Sequence, residues 1–214
     1  QNALKSNTVD APPRYRISNT IFQYLPGFRM SYEAPLEILQ LFSNYSWNFQ
    51  NDSSFAIAVR GLDTCDVTRW VRFWWEIPQN DYSSMNTRNF DSWVPHIRGS
   101  DRVRWFGNFI HTLKWGKNGE IIKAYGKAII PNETYYFQPG ITFSRIGSTG
   151  LICRYFNKTT LISDSGSGVI PVKSNNYELL GLLNSTIISY FLKLIDPSYT
   201  FQTGHINKIP QPPF

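Results

Sequence analysis

The chain has 214 residues, of which 42% are apolar, 17% charged and 16% aromatic, and its formal net charge is +6. That length suffices for one large domain or two small ones with a real core, and so many aromatics with so little charge exclude a disordered charged tail. The longest apolar stretch, 179–195, is interrupted by Asn184, Ser185, Thr186, Ser189 and Lys193. It falls short of the roughly 20 continuous apolar residues of a membrane span, and no leader-like segment opens the chain, so a cytoplasmic protein with no membrane partner is expected.

In chain order, residues 1–14 are polar and close on Pro12-Pro13, which predicts a flexible lead-in or residues left from expression, followed by a single domain over 15–214. Leu36, Leu39 and Leu41-Phe42 recur at helical spacing, with Pro35 tolerated in the first turn, and predict a helix near 34–42. The run Phe55–Val59 has strand length. Asp66 is placed to cap a helix over 66–76, stopped by Pro78. From Trp93 to Ile170, short runs rich in Ile, Tyr, Phe and Thr alternate with turn signals such as Lys117-Asn118-Gly119, Gln138-Pro139-Gly140 and Asp164–Gly168. That texture predicts several short strands, antiparallel or mixed. Leu179, Leu180, Leu182, Leu183, Ile187, Ile188, Phe191, Leu192 and Ile195 then form a wide apolar face, predicting one long helix near 177–195 that ends at Asp196-Pro197. The fold class expected is α+β.

The charge is localised. Residues 1–97 carry a net −1, residues 98–158 a net +7 and residues 159–214 zero. Trp105, Trp115, Tyr125, Tyr135, Tyr136, Phe143, Tyr155 and Phe156 are interleaved with the basic residues. Cations neutralise phosphates and release counterions, while aromatics pack on sugars or stack on bases. The plainer reading is that these aromatics are core and the Lys and Arg are the solvated faces of strands.

Other chemistry fails on spacing. Cys65 and Cys153 lie far apart and predict two reduced thiols, and the scattered His96, His111 and His205 give no metal-ligand pattern. The segment Asp164-Ser165-Gly166-Ser167-Gly168 lacks the glycine spacing of a nucleophile elbow and predicts a β-turn. Neither a phosphate-binding GxxxxGK[ST] loop nor a GxGxxG fingerprint is present. The C-terminal Gln211-Pro212-Pro213-Phe214 resembles the tetrapeptide of amino-methyltransferases, but it follows no cofactor-binding motif and is expected to be a proline-rich exit.

Several ordered blocks together resemble one family, the C-terminal part of PglX-type adenine-specific DNA methyltransferases of BREX phage defence. They are Phe22–Gly27 with Ser31-Tyr32, Val59–Asp66 running into Arg69–Glu76, and Trp93–Ser100 with Arg104–Asn108 and Trp115–Gly119. Gly140–Ile146, Leu180–Ser185 and Phe201–Ile206 continue the series, so the resemblance spans about residues 21–210. Cys65, Val67, Ser100 and Val103 depart from the family pattern. The helix and the proline-rich exit are also similar to target-recognition domains of restriction-modification specificity subunits.

The resemblance implies a target-recognition-domain-like region, separate from the catalytic domain and not catalytic by itself. It implies double-stranded DNA as ligand. The expected partners are the catalytic methyltransferase domain of the same parent chain and other phage-defence proteins. No cofactor is expected in this chain, with S-adenosylmethionine bound by the full-length parent. Arg98, Arg104, Lys114, Lys117 and Lys123 are the candidates for phosphate contact, and Arg145 and His205 for base reading. Gly99, Gly107 and Gly140 are candidate turn or close-approach positions. A reading from another class remains open, a carbohydrate- or protein-binding module built on the 7 Trp and 12 Tyr.

Overall fold

The computed structural model describes residues 3–4, 14–15, 18–44, 54–81, 93–99 and 103–210. The predicted lead-in falls largely outside these residues, and Gln211–Phe214 lies wholly outside them. The chain divides into two compact units, Gln1–Ser46 with Pro210–Phe214, and Trp47–Ile209.

The smaller unit holds a two-residue antiparallel pair, β1 (Ala3–Leu4) with β2 (Arg14–Tyr15), then a 3-10 turn over Asn19–Tyr24 and helix α1 (Leu36–Asn44). Pro35 precedes α1, where its missing N–H costs nothing, and its carbonyl accepts from Ile38 and Leu39. Leu39 and Phe42 are buried, as the helical spacing predicts.

The larger unit is built on two four-stranded sheets. The first, in order β3-β10-β7-β8, joins Ala56–Val59, Gly168–Pro171, Gly140–Phe143 and Cys153–Phe156 with every pairing antiparallel. The second, in order β4-β6-β5-β9, joins Val71–Phe73, His111–Lys114, Trp93–Ile97 and Leu161–Ile162. Its β5–β9 pairing is parallel, His96 opposite Leu161 and Ile97 opposite Ile162. Ile97 and Ile162 meet Val59, Phe156 and Ile170 of the first sheet in one apolar cluster. A second cluster gathers Trp70, Val94, Leu113, Trp115, Ile122 and Tyr136. Helix α4 (Asn176–Leu183) lies on β7, β8 and β10, and Tyr177 stacks on Tyr155 from the side of β8 opposite Phe156.

Both edges of the first sheet are closed by asparagine amides that copy a backbone partner. Asn207, beyond the short helix α6 (Thr203–Ile206), accepts from the Ala58 N–H at 3.0 Å and donates to the Ala58 carbonyl at 3.3 Å on β3. Asn184 accepts from the Cys153 N–H at 3.1 Å and donates to its carbonyl at 3.0 Å on β8. Trp105 shares that edge, its N–H donating to the Cys153 carbonyl and its carbonyl accepting from Tyr155. At these positions the edge backbone is already paired and offers less of a ladder to another chain.

The α+β class stands, with two corrections to its helices. The helix expected over 66–76 keeps its first turn as α2 (Val67–Trp70), with the Asp66 carboxylate accepting from the Arg69 N–H at 3.0 Å, and coils again only as a 3-10 turn over Trp74–Glu76. Val71–Phe73 leave it to pair with β6, because β-branched Val71 gains more from strand pairing and burial than from a second helical turn. The single helix expected near 177–195 is two, α4 and α5 (Thr186–Ile195), bent by 64°. Asn184 is drawn to β8, and the Ser185 hydroxyl caps α5 by accepting from the Ile188 N–H. Among the described residues no single helix is long and apolar enough to cross a membrane, and the bent pair passes that test only when its halves are joined.

Candidate nucleic-acid interface

The ends of three strands converge on one carboxylate. Arg60 directly follows β3, Arg145 follows β7 after Ser144, and Asp164 lies in the turn between β9 and β10. This turn is the one expected at Asp164–Gly168. It is held by the Ser163 hydroxyl accepting from the Gly166 N–H at 3.0 Å and by the Ser167 hydroxyl donating to the Asp164 carbonyl at 3.1 Å. The Asp164 N–H also donates to the Leu62 carbonyl at 3.0 Å, so the carboxylate sits on a fixed backbone. One of its oxygens accepts from the Arg60 Nε, the other from the Arg145 Nη1 at 2.8 Å. The Asp164 side chain is 20% exposed, while those of Arg60 and Arg145 are 45% and 46% exposed.

Residues 199–201 run beside 145–147. The Phe201 N–H donates to the Arg145 carbonyl at 2.7 Å and the Gly147 N–H to the Tyr199 carbonyl at 3.0 Å. That pairing carries Gln202 and Thr203 to the arginines. Arg60, Arg145, Asp164, Ser167, Phe201, Gln202 and Thr203 thus line an open cleft of about 230 Å³. The cleft presents two guanidinium forks, an amide and two hydroxyls around a single carboxylate. These are the groups that hydrogen-bond base edges and phosphate oxygens.

A smaller cavity of about 130 Å³ shares Asp164 and is lined also by Asp63, Thr64, His96, Arg98, Ser163 and Ser165. His96 is fully buried beside Leu161, and burial, then the charges of Arg98 and His111, lower its pKa to about 3. It is therefore neutral, and its Nδ1 has no hydrogen-bond partner among the described residues. Gly99 lets this wall close, since a Cβ there would stand 2.7 Å from the Ser165 carbonyl oxygen.

Of the residues expected from the sequence, Arg98 and Arg145 are gathered around Asp164. His205 lies one turn beyond the cleft on α6, its Nε2 at 3.5 Å from the Asp196 carboxylate. Arg104 is exposed beside Trp105 and Phe106, which are also exposed. Lys114 ends β6, Lys117 stands in a left-handed conformation, and Lys123 on α3 (Glu120–Ala124) pairs with Glu133 at 2.5 Å. Arg60, Asp164 and Gln202 were not foreseen. Arg60 and Gln202 left a signal in their places within the Val59–Asp66 and Phe201–Ile206 blocks, and Asp164 in the turn it opens, but none was marked by its spacing.

The interleaved aromatics divide. Trp115, Tyr136, Phe143 and Phe156 are core, whereas Trp105 is half exposed. Arg154 leaves the surface altogether: it is 2% exposed and donates to the Gly107 carbonyl at 2.8 Å and the Arg98 carbonyl at 3.2 Å. Gly107, at φ +117°, turns its carbonyl into that contact. Among the described residues no group of three or more His, Cys, Asp or Glu side chains gathers as a metal site.

Comparison with known proteins places the chain in a class. Over nearly its whole length it is related to the PglX-type adenine-specific methyltransferases of BREX. It is 30% identical over 193 residues to the adenine-specific methyltransferase BrxX of Escherichia coli O9:H4 (strain HS), an alignment covering 88% of this chain and 15% of that protein. With the adenine-specific methyltransferase PglX of Lacticaseibacillus casei (strain Zhang) it is 29% identical over 210 residues, 92% of this chain and 17% of that protein. The chain spans about a sixth of the length of these curated relatives. No family model matches it.

Proposed function

We propose that this chain is a DNA target-recognition region of an adenine-specific methyltransferase acting in phage defence. It holds duplex DNA through exposed cations and meets base edges with the cleft around Asp164. The observation that carries the reading is the convergence of Arg60, Arg145, Gln202 and Thr203 on one open cleft, from strand ends far apart in sequence. The names of the relatives supply the reaction to which recognition would be coupled, adenine-specific methyl transfer, while duplex DNA as ligand is what the family resemblance of the sequence implies. On this reading no S-adenosylmethionine site is expected in this chain, whose sequence carries no GxGxxG fingerprint. Methyl-donor binding and catalysis are assigned to the rest of a longer parent, and that part is the partner this region would serve.

The test is duplex retention across ionic strengths. Binding should fall linearly on a log–log scale with salt, with a slope of about −0.9 per phosphate neutralised. Salt-insensitive retention, or none at low ionic strength, overturns the reading. One observation favours the alternative module: Trp74 and Trp75 are 51% and 56% exposed, with Phe73 stacked on Trp75 at 4.6 Å. Quenching of their fluorescence by a sugar or protein, without duplex binding, would select it.

A further inference from the structure

The centre of the cleft is negative, and that is informative about what it can hold. A clamp for phosphate gathers uncompensated cations, and a carboxylate among them repels the ligand. Here Asp164 takes one N–H from each of two guanidinium groups, and its own backbone is tied on both sides. Two flexible side chains are thereby held in fixed directions, and the trio keeps one net positive charge. The remaining N–H groups of each fork make no hydrogen bond within the described residues, nor do the Gln202 amide and the Thr203 hydroxyl. Base edges are uncharged and tolerate the carboxylate. They also reward fixed forks, because an Arg reads guanine O6 and N7 together and a Gln reads adenine N6 and N7 together.

We propose that Asp164 is the positioning residue of a base-reading triad, holding Arg60 and Arg145 toward guanine edges and away from phosphates, with Gln202 beside them for adenine. This rests on the DNA-recognition reading above and adds which side chains set the sequence preference. In its absence the same arginines would be mobile cations that bind any duplex.

Selection from a randomised duplex library by the whole chain tests it, with folding checked by circular dichroism and thermal melting. The wild type should enrich at least one G·C and one A·T position. Asp164→Asn should bind random duplex more tightly, steepen the salt slope by about one unit and flatten the G·C preference by roughly tenfold. Asp164→Glu, which keeps the charge, should restore part of the preference. Gln202→Ala should relax the A·T position and leave the salt slope unchanged. Base preference that survives Asp164→Asn overturns the proposal. So does a loss of all binding that tracks a lowered melting temperature equally in the Asn and Glu variants, since that is what a purely structural role produces. Wild-type binding with no base preference overturns this inference alone, whereas no wild-type binding at low salt overturns the DNA reading and this with it.

Discussion

Two regions of the larger unit carry its positive charge in different ways. Around Asp164, arginines from distant strand ends are drawn to one carboxylate and fixed in direction. Along the stretch from β6 to just past α3, lysine ammonium groups lie over aromatic rings, the Lys123 Nζ 5.9 Å from the Trp115 ring centre and the Lys127 Nζ 5.8 Å from that of Tyr125. An ammonium on a flexible stem is a movable point charge, suited to a phosphate backbone of any sequence, whereas an anchored guanidinium is a directional fork. The same net charge can therefore divide into a part that attracts and a part that discriminates.

The largest effect that would break this contrast comes from Arg154. Its guanidinium stays protonated although burial lowers its pKa to about 10, and it ties the carbonyls of Gly107 and Arg98. Arg154→Ala strands both carbonyls and should cost about 3 kcal/mol, read as a lower melting temperature and urea midpoint. Arg154→Lys should recover only part, since an ammonium cannot span both acceptors as a planar fork does. Base preference should suffer before general duplex affinity, because Arg98 lies on the cleft side.

Acid is expected to act next, through His96. Its folded pKa of about 3 lies below the ordinary value of 6.5, so between those values the unfolded chain binds more protons than the folded one. Stability should be full above about pH 6.5 and fall as pH drops, by up to about 1.4 kcal/mol per unit and roughly 2 kcal/mol between pH 7 and 5. His111, whose pKa is lowered by burial and by Arg98, adds in the same direction. Urea denaturation at several pH values checks this, and His96→Leu should flatten most of the slope. If it does not, the acid sensitivity lies elsewhere.

How much of this was legible in the sequence follows from which contacts are local. The Asp66 and Ser185 caps are local and can be read from residue type alone, but where α2 stops depends on β6, some 40 positions away. The +7 in the middle of the chain marks the basic region correctly as a composition. It counts buried Arg154 among the surface cations and omits Arg60, which joins the cleft only through the pairing of β3 with β10. The cleft itself depends on residues 199–201 running beside 145–147, a juxtaposition that no spacing rule encodes. Asn184 is the instructive intermediate. It sits in the Leu180–Ser185 block that carries the family resemblance, yet its amide bonds to β8, so that block marks a structural need at that position.

Lys123 should give the smallest effect and sharpens the contrast most. Its ion pair with Glu133 is exposed on both sides, 44% and 46%, so Lys123→Ala should change stability by less than about 0.5 kcal/mol. If the lysine stretch lies along the duplex backbone, the substitution should weaken binding to all sequences alike and reduce the salt slope by about one, with base preference intact. Glu133→Gln should do the reverse by releasing the ammonium. Should neither variant move the salt slope, Lys123 is spent on Glu133 and Trp115 as a structural cation. The attracting part of the interface would then shrink to the cations nearer Asp164, leaving attraction and discrimination to the same few arginines.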